Sequence, residues 1–306
     1  MLLKTSNPQD FKPFLDTLIL PSEESHKGQN GKGLIIGGST LFHAASLWAA
    51  EISSHFLDMV HYSSTEENLE IFTNLKTKFR NGIIVHKKDI PFYVKEDDVI
   101  LVGPGMVRDE VKSEELRVKS FEELLQIEDE AEYSRQLTYY LLKNFPDKKF
   151  VFDAGALQMM EKDWLKLLQI KPILTPHQGE FERLFGKNVS ELSIEEKAEI
   201  VKQFAKEYNC VILLKAITDI ISDGERTILI EGGNQGLTKG GSGDVLAGLT
   251  ASLYATNEAV TSAVIASFLI KRAADELKLE DGYWYNIINL IEKIPVVLTK
   301  LLSGRI

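Results

Sequence analysis

Residues 238–248 read TKGGSGDVLAG, with three glycines in four positions and an aspartate directly after them. Glycine admits backbone angles closed to other residues and lets main-chain N–H groups approach a ligand. Successive N–H groups in such a turn form an anion-binding concavity. A helix starting at Asp244 would add its unpaired N–H donors and the positive end of its dipole. A phosphoryl group could then sit over Gly241, Ser242 and Gly243 while Asp244 takes a proton from an alcohol. A base beside an anion hole is what phosphoryl transfer to a hydroxyl requires. Aspartate is also a favoured helix N-cap, so the residues alone leave both roles open for Asp244. Two other phosphate-binding patterns fall away. There is no G-x-x-x-x-G-K-[ST] loop, and GKGLIIGG precedes and overlaps its strand instead of following it.

A second candidate is ILTPHQGEFERLFG, residues 173–186. The strand ends at Pro176, and His177 lies just beyond, where parallel sheets bind ligands. Glu180 could touch a hydrated Mg²⁺, an ion that prefers oxygen ligands and keeps its waters. The plainer alternative makes His177 a turn residue and Glu180 a first-turn acid facing the helix dipole. VFDAGAL (151–157) and VGPGM (102–106) place Asp153, Gly103 and Gly105 at strand ends. HKGQNGKGLIIGGS (26–39) is a glycine-rich lead-in to the first of these strands, explicable as turn chemistry.

These residues need a frame. Short apolar runs recur at 33–38, 58–64, 82–87, 98–103, 149–155, 171–176 and 210–215. Several are apolar throughout, as parallel strands covered on both faces are. Helical patterns separate most of them. Ser193 with Glu196 three residues on reads as a capping box opening one such helix. The alternation predicts a parallel sheet with helices on both sides. Residues 216–231 break it and read as two strands joined at Asp223-Gly224. The charged stretch 108–145 reads as solvated helix. No repeat or linker divides the chain, so the expectation is one domain over 1–306 with a charged helical insertion near 108–145.

A formal net charge of -10 disfavours nonspecific binding to nucleic acid or anionic membrane, which takes basic patches. One cysteine, Cys210, excludes an intrachain disulfide or a thiolate metal site and reads as a small buried hydrophobe. No apolar run approaches the roughly 20 residues of a membrane span, and the first residues lack a signal-peptide core. A cytoplasmic setting is the expectation.

Taken in order, HKG…GLIIGGS, ILVGPGM, VFDAGAL, ILTPHQGEFERL, VILLK and GGNQGLTKGGSGDVLAG resemble the NAD(P)H-hydrate dehydratases of the ribokinase-like superfamily. The resemblance implies a three-layer α/β/α sandwich around a mainly parallel sheet. It also implies a repair reaction on hydrated NADH or NADPH, with ADP or ATP as phosphoryl donor and Mg²⁺ as cofactor, in a homotetramer. Carried over by position, Asp244 would be the catalytic base, and Ala45, Gly105, His177 and Asp244 would contact the hydrated dinucleotide. Lys215, Ala216, Ile217, Thr218 and Asp219, together with Asn234, Gly241, Ser242 and Gly243, would line the adenine nucleotide, and Glu180 would hold the metal.

The chain departs from the family pattern at several positions. Ala44 replaces a glycine, and Met106-Val107 follow Gly105 where Leu-Gly is common. Ala216 and Asp219 stand for glycine and threonine, and Lys271-Arg272 for a His-Gly pair. An acid at 219 facing nucleotide phosphates would repel them, so either the loop turns it away or affinity falls. The alternatives carried beside the dehydratase are a small-molecule kinase of the same superfamily and a catalytically silent nucleotide-binding protein.

Overall fold

A computed structural model describes residues 1–108, 116 and 120–304. Among the described residues ten strands form one sheet. They are β1 (Leu2–Lys4), β2 (Lys32–Ile36), β3 (Met59–Ser63), β4 (Ile83–Ile84), β5 (Val99–Val102), β6 (Lys149–Phe152), β7 (Ile173–Leu174), β8 (Val211–Leu214), β9 (Thr218–Ser222) and β10 (Thr227–Glu231). Their spatial order is β1-β10-β9-β8-β7-β6-β5-β2-β3-β4. Every pairing is parallel except those of β9, which runs against both β8 and β10.

The apolar runs become strands because both faces of the sheet are covered. Ile35, Leu101, Val151, Ile173 and Val211 point into one core, together with the helices Ala44–Ser53, Ser242–Thr256, Ala259–Asp281 and Ile287–Leu302. The alternate residues Leu34, Ile100, Phe150, Leu174 and Ile212 point into the other core. There they meet residues of Ile90–Glu96, Glu130–Asn144, Gln178–Phe185 and Ile194–Glu207. The period of two along each strand thus divides its side chains between two apolar layers. The helix after Ser193 opens with the expected capping box, with Ser193 Oγ accepting from Glu196 N.

Two features differ from expectation. The edge strand β1 has no sequence signal: it is three residues long and is held in parallel against β10. The charged stretch 108–145 is not a solvated helix where it is described; residues 109–115 and 117–119 of it lie outside the described residues. The helix Glu130–Asn144 buries Ala131, Tyr133, Leu137, Leu141 and Leu142. Even Arg135 is only 3% exposed. Its guanidinium lies 4.9 Å from the Trp164 ring, donates to Met159 O at 3.1 Å and pairs with Glu161. The high charge of the stretch masks an apolar face spaced by three and four residues.

The strand order places the loops after β8, β7, β6, β5 and β2 along one edge of the sheet, where parallel sheets carry their sites. The helix Ser242–Thr256 lies over these strands and packs tightly on Ala44–Ser53. A Cβ added to Gly248 would come within 2.6 Å of Ala49 O and 2.7 Å of Ile52 Cγ2. Alanine there gains helix propensity of about 1 kcal/mol but forces two backbones apart, an overpacking cost of about 1–3 kcal/mol. Gly248→Ala is therefore expected to be less stable than the native chain in urea unfolding; an equal or higher midpoint would contradict this packing.

Candidate active site

Lys215 follows β8 and lies at the centre of the edge. Its Nζ is 2.7 Å from Asp153 Oδ1 and 3.7 Å from Glu180 Oε2. Asp153 follows β6, is 1% exposed, and also accepts from Thr175 Oγ1 at 2.8 Å. Burial alone would lower the Lys215 ammonium pKa, but Asp153 and Glu180 outweigh it and hold the group above its ordinary value. His177 forms a parallel bridge with Lys215, which carries the β7–β8 pairing into the site.

Glu180 is 4% exposed. Its Oε2 accepts from His177 N at 2.9 Å and its Oε1 from Gln158 Nε2 at 3.2 Å. His177 Nδ1 accepts from Gly179 N and Glu180 N, completing a capping box. The plain reading of these two residues is thus realised, and it is what fixes the Glu180 carboxylate beside Lys215. Among the described residues no three His, Cys, Asp or Glu side chains converge as a metal cage.

Asp244 does not cap its helix. The helix runs Ser242–Thr256, two residues earlier than expected, with Gly241 as N-cap and no side-chain cap bond. Gly241 has φ +106°, and a Cβ there would lie 2.6 Å from the Trp48 ring, so glycine is required by angle and by space. Ser242 Oγ turns inward to Leu237 O at 2.7 Å and pins the loop. The first-turn N–H groups are left without helical partners, as at any helix start. Asp244 is the third helical residue. Burial, then Asp153 and Glu180, raise its carboxyl pKa to about 7 against the lowering effect of Lys215. A Cβ on Gly243 would lie 3.4 Å from Lys215 Nζ, so ammonium, carboxylate and helix N-terminus share one corner. Such an arrangement suits proton abstraction near neutral pH beside a developing phosphoryl charge.

A cavity of 610 Å³ opens beside this corner. His177, Lys215, Ala216, Ile217, Asp219, Asn234, Ser242 and Gly243 line it, with Leu246 and Ile270 as apolar walls. Ile217 stands 92% exposed at this cavity. Thr218 starts β9 and Gly241 faces Trp48; neither is part of the lining. Asn234 spends its side chain on the loop: Oδ1 accepts from Gly236 N and Tyr285 Oη, and Nδ2 donates to Ala274 O. Ala45 and Gly105 meet elsewhere on the edge, at the β2 and β5 loops, where a Cβ on Gly105 would lie 3.0 Å from Ala45 Cβ.

Asp219 does not confront the cavity as a free acid. Its Oδ1 accepts from Ala216 N at 2.9 Å, its Oδ2 from Ser267 Oγ at 2.6 Å, and Lys271 Nζ lies 3.4 Å away. Lys271 also donates to Ala216 O and Ile217 O. The departures at 219 and 271, far apart in sequence, are one buried ion pair that staples the loop following Lys215. Burial still raises the Asp219 pKa more than Lys271 and its hydrogen bonds lower it. Sequence reasoning flagged both residues but not their contact, and it missed the supporting roles of Thr175, Gln158 and Trp48. A threonine within ILTP was the only hint of the first.

The sequence model of the NAD(P)H-hydrate dehydratases matches residues 33–296. The chain belongs to this family. A bifunctional NAD(P)H-hydrate repair enzyme of Methanocaldococcus jannaschii is 33% identical over 279 residues, 90% of this chain and 49% of that protein. The chain therefore spans about half the length of that relative. An ADP-dependent (S)-NAD(P)H-hydrate dehydratase of Nitrosopumilus maritimus is 28% identical over 293 residues, 91% of this chain and 93% of that protein. The crystal structure of a Bacillus subtilis ADP/ATP-dependent NAD(P)H-hydrate dehydratase superposes with a TM-score of 0.74 at 23% identity, covering 95% and 96% of the two chains. The fold is thus the α/β, ribokinase-like one expected.

The Asp219–Lys271 pair makes a specific demand on this dehydratase-family chain. Breaking a buried pair from one side costs about 3–5 kcal/mol, because the other charge is left unpaired. Lys271→Met should lower unfolding stability by that order, and adding Asp219→Thr should recover much of the loss. A double variant as unstable as the sum of the two single changes would show that the residues do not interact.

Proposed function

We propose that this chain returns hydrated NADH or NADPH to the reduced dinucleotide at the expense of ADP, with ATP as the alternative donor. The observation that carries this reading is the Asp244 carboxyl, raised to about 7 in the first turn of a helix whose Ser242 and Gly243 line the 610 Å³ cavity together with Lys215. The name of the Nitrosopumilus relative, which the chain covers almost entirely, supports ADP.

The substrate's ring hydroxyl gives its proton to Asp244 and its oxygen attacks the terminal phosphoryl of ADP. The bond to AMP breaks and a phosphate ester forms. Phosphate then departs with the bonding electrons, a proton leaves the neighbouring carbon, and the double bond returns. Hydroxide leaves poorly and phosphate leaves well, which is the purpose of the transfer. Lys215 and the first-turn N–H groups of Ser242–Thr256 face the charge that develops on the phosphoryl oxygens. In this reading Ala45, Gly105 and His177 hold the hydrated ring side. Lys215, Ala216, Ile217, Thr218 and Asp219 form the nucleotide wall, with Asn234, Gly241, Ser242 and Gly243 shaping the phosphate loop.

Asp153, Glu180 and Asp244 outnumber the one ammonium between them. That surplus of negative charge would repel phosphates arriving alone and fits Mg²⁺ carried in with the nucleotide. Glu180 would hold the ion through water, and the ion would neutralise the donor phosphates. The Bacillus subtilis neighbour was crystallised with ATP and Mg²⁺. A homotetramer in the cytoplasm belongs to the same proposal, and light scattering reads its subunit count.

The decisive assay adds hydrated NADH or NADPH, Mg²⁺ and either nucleotide, and follows the return of reduced-nicotinamide absorbance. No return with either nucleotide would refute the reading; a stable phosphorylated alcohol would make the chain a kinase. Asp244→Asn should abolish turnover with ADP binding largely kept.

The pH dependence has a definite sign. The base form of Asp244 prevails above about pH 7, so kcat/KM should rise with pH to a plateau through that value. A folded-state carboxyl pKa raised above the unfolded value means the native chain binds more protons between about pH 4 and 7. The contribution of Asp244 to stability therefore falls as pH rises across that window. Asp244→Asn should unfold at a higher temperature than the native chain at pH 8 and at nearly the same temperature below pH 4. The opposite order at pH 8 would show that the carboxylate is not destabilised by its surroundings.

A further inference from the structure

The carboxyl ends of β2 and β3 carry a second crevice that the chemistry above does not use. Ser63, Thr65, Lys87, Met106, Glu130 and Tyr133 are among the residues lining it. It holds 30 Å³, more than the roughly 10–15 Å³ that one buried water requires. Ser63 is wholly buried and Tyr133 is 9% exposed, yet neither Ser63 Oγ nor Tyr133 Oη has a hydrogen-bond partner among the described residues. Buried hydroxyls nearly always have one, so two in the same crevice call for an explanation.

The surroundings indicate the charge of what would satisfy them. Lys87 Nζ lies 4.3 Å from the centroid of the Tyr133 ring. Burial lowers the Lys87 pKa, against the raising effects of Glu130 and Glu66. Thr65 caps the ten-residue helix Glu66–Leu75, with its hydroxyl accepting from Asn68 N, so the positive end of that helix dipole opens on the same space. Two acids act on this ammonium, and each also has a contact outside the crevice. Glu130 accepts from Thr40 N and Thr40 Oγ1 at 3.2 Å, and Glu66 lies 3.7 Å from His86. An ammonium, two open hydroxyls and a helix N-terminus can all donate to an acceptor-rich oxyanion.

We propose that this crevice is an anion subsite that binds a phosphoryl group through Lys87 Nζ, Ser63 Oγ and Tyr133 Oη. Gly38 also lines it, and a Cβ on Gly105 would lie 3.2 Å from Gly38 Cα, so the subsite adjoins the Ala45–Gly105 loops. The phosphoryl group has two possible sources: a phosphate of the dinucleotide, or free inorganic phosphate, the product of the elimination. The dinucleotide source rests on the reading under Proposed function; the anion site itself does not.

The test is calorimetric titration of inorganic phosphate into the full chain saturated with ADP, which blocks the larger cavity. Lys87→Met, Tyr133→Phe and Ser63→Ala are compared with the native protein. The last two remove an unpaired hydroxyl without stranding another group, so they should fold at least as well as the native chain. Lys87→Met is expected to weaken phosphate binding about tenfold or more, the hydroxyl variants several-fold, and ADP binding not at all. Steady-state KM then assigns the source. A rise for both hydrates assigns a phosphate common to the two, and a rise for hydrated NADPH alone assigns its extra phosphate. Weakened phosphate binding with both KM values unchanged assigns the free anion. Native-like phosphate binding and KM in Tyr133→Phe and Ser63→Ala, at native stability, would overturn the proposal. If no turnover occurs with any nucleotide, the dehydratase reading falls while the phosphate titration still decides the subsite.

Discussion

A single ammonium among buried carboxylates holds the carboxyl edge of this sheet together. Asp153 and Glu180 arrive from different strand ends, and each is nearly sealed from water. Two carboxylates sharing a site repel each other unless a cation lies between them. Lys215 lies 2.7 Å from one and 3.7 Å from the other, and that contact sets the spacing of the β6, β7 and β8 loops. The remaining hydrogen-bonding capacity of the acids is met by Thr175, Gln158 and the His177 backbone. Buried charge persists only where such partners are supplied.

Asp244 is the one acid in this group not provided for. Its neighbours are negative, its surroundings are partly desolvated, and the compensating ammonium is already shared. The same deficit that makes its charge costly to the fold places its proton affinity near neutrality, where a base is most useful. The helix Ser242–Thr256 can hold so unfavourable a group because it is clamped at two points against one neighbouring helix. Gly248 brings it against Ala44–Ser53, and Gly241 lets it start flush against Trp48.

At the 610 Å³ cavity the chain uses the opposite device. Asp219 and Lys271 neutralise each other out of reach of solvent and tie β9 to the long helix Ala259–Asp281. Three backbone contacts, at Ala216 N, Ala216 O and Ile217 O, hang from this pair. The loop that follows Lys215 is therefore fixed before any ligand arrives, and Ile217 is left standing outward at the cavity. The resemblance marked 219 and 271 as two separate departures; in three dimensions they are in contact.

Much of the frame was legible in the sequence because its signals are local. Unbroken apolar runs mark strands with two covered faces, the Asp223-Gly224 turn marks the β9–β10 hairpin, and Ser193 with Glu196 marks a helix start. Residue type and order also picked out Asp244, Glu180 and His177. Other facts were out of reach because they depend on what lies across the fold. The three-residue β1 is a strand only through β10, the charged helix Glu130–Asn144 has a core face only because Trp164 and its neighbours cover it, and Asp219 has a partner only once Lys271 is folded beside it. Sequence set which groups could ionise and where the backbone could turn. Tertiary structure set which of those charges are paired and buried, and hence that Asp244, unlike Asp153 and Glu180, is left with its charge poorly compensated.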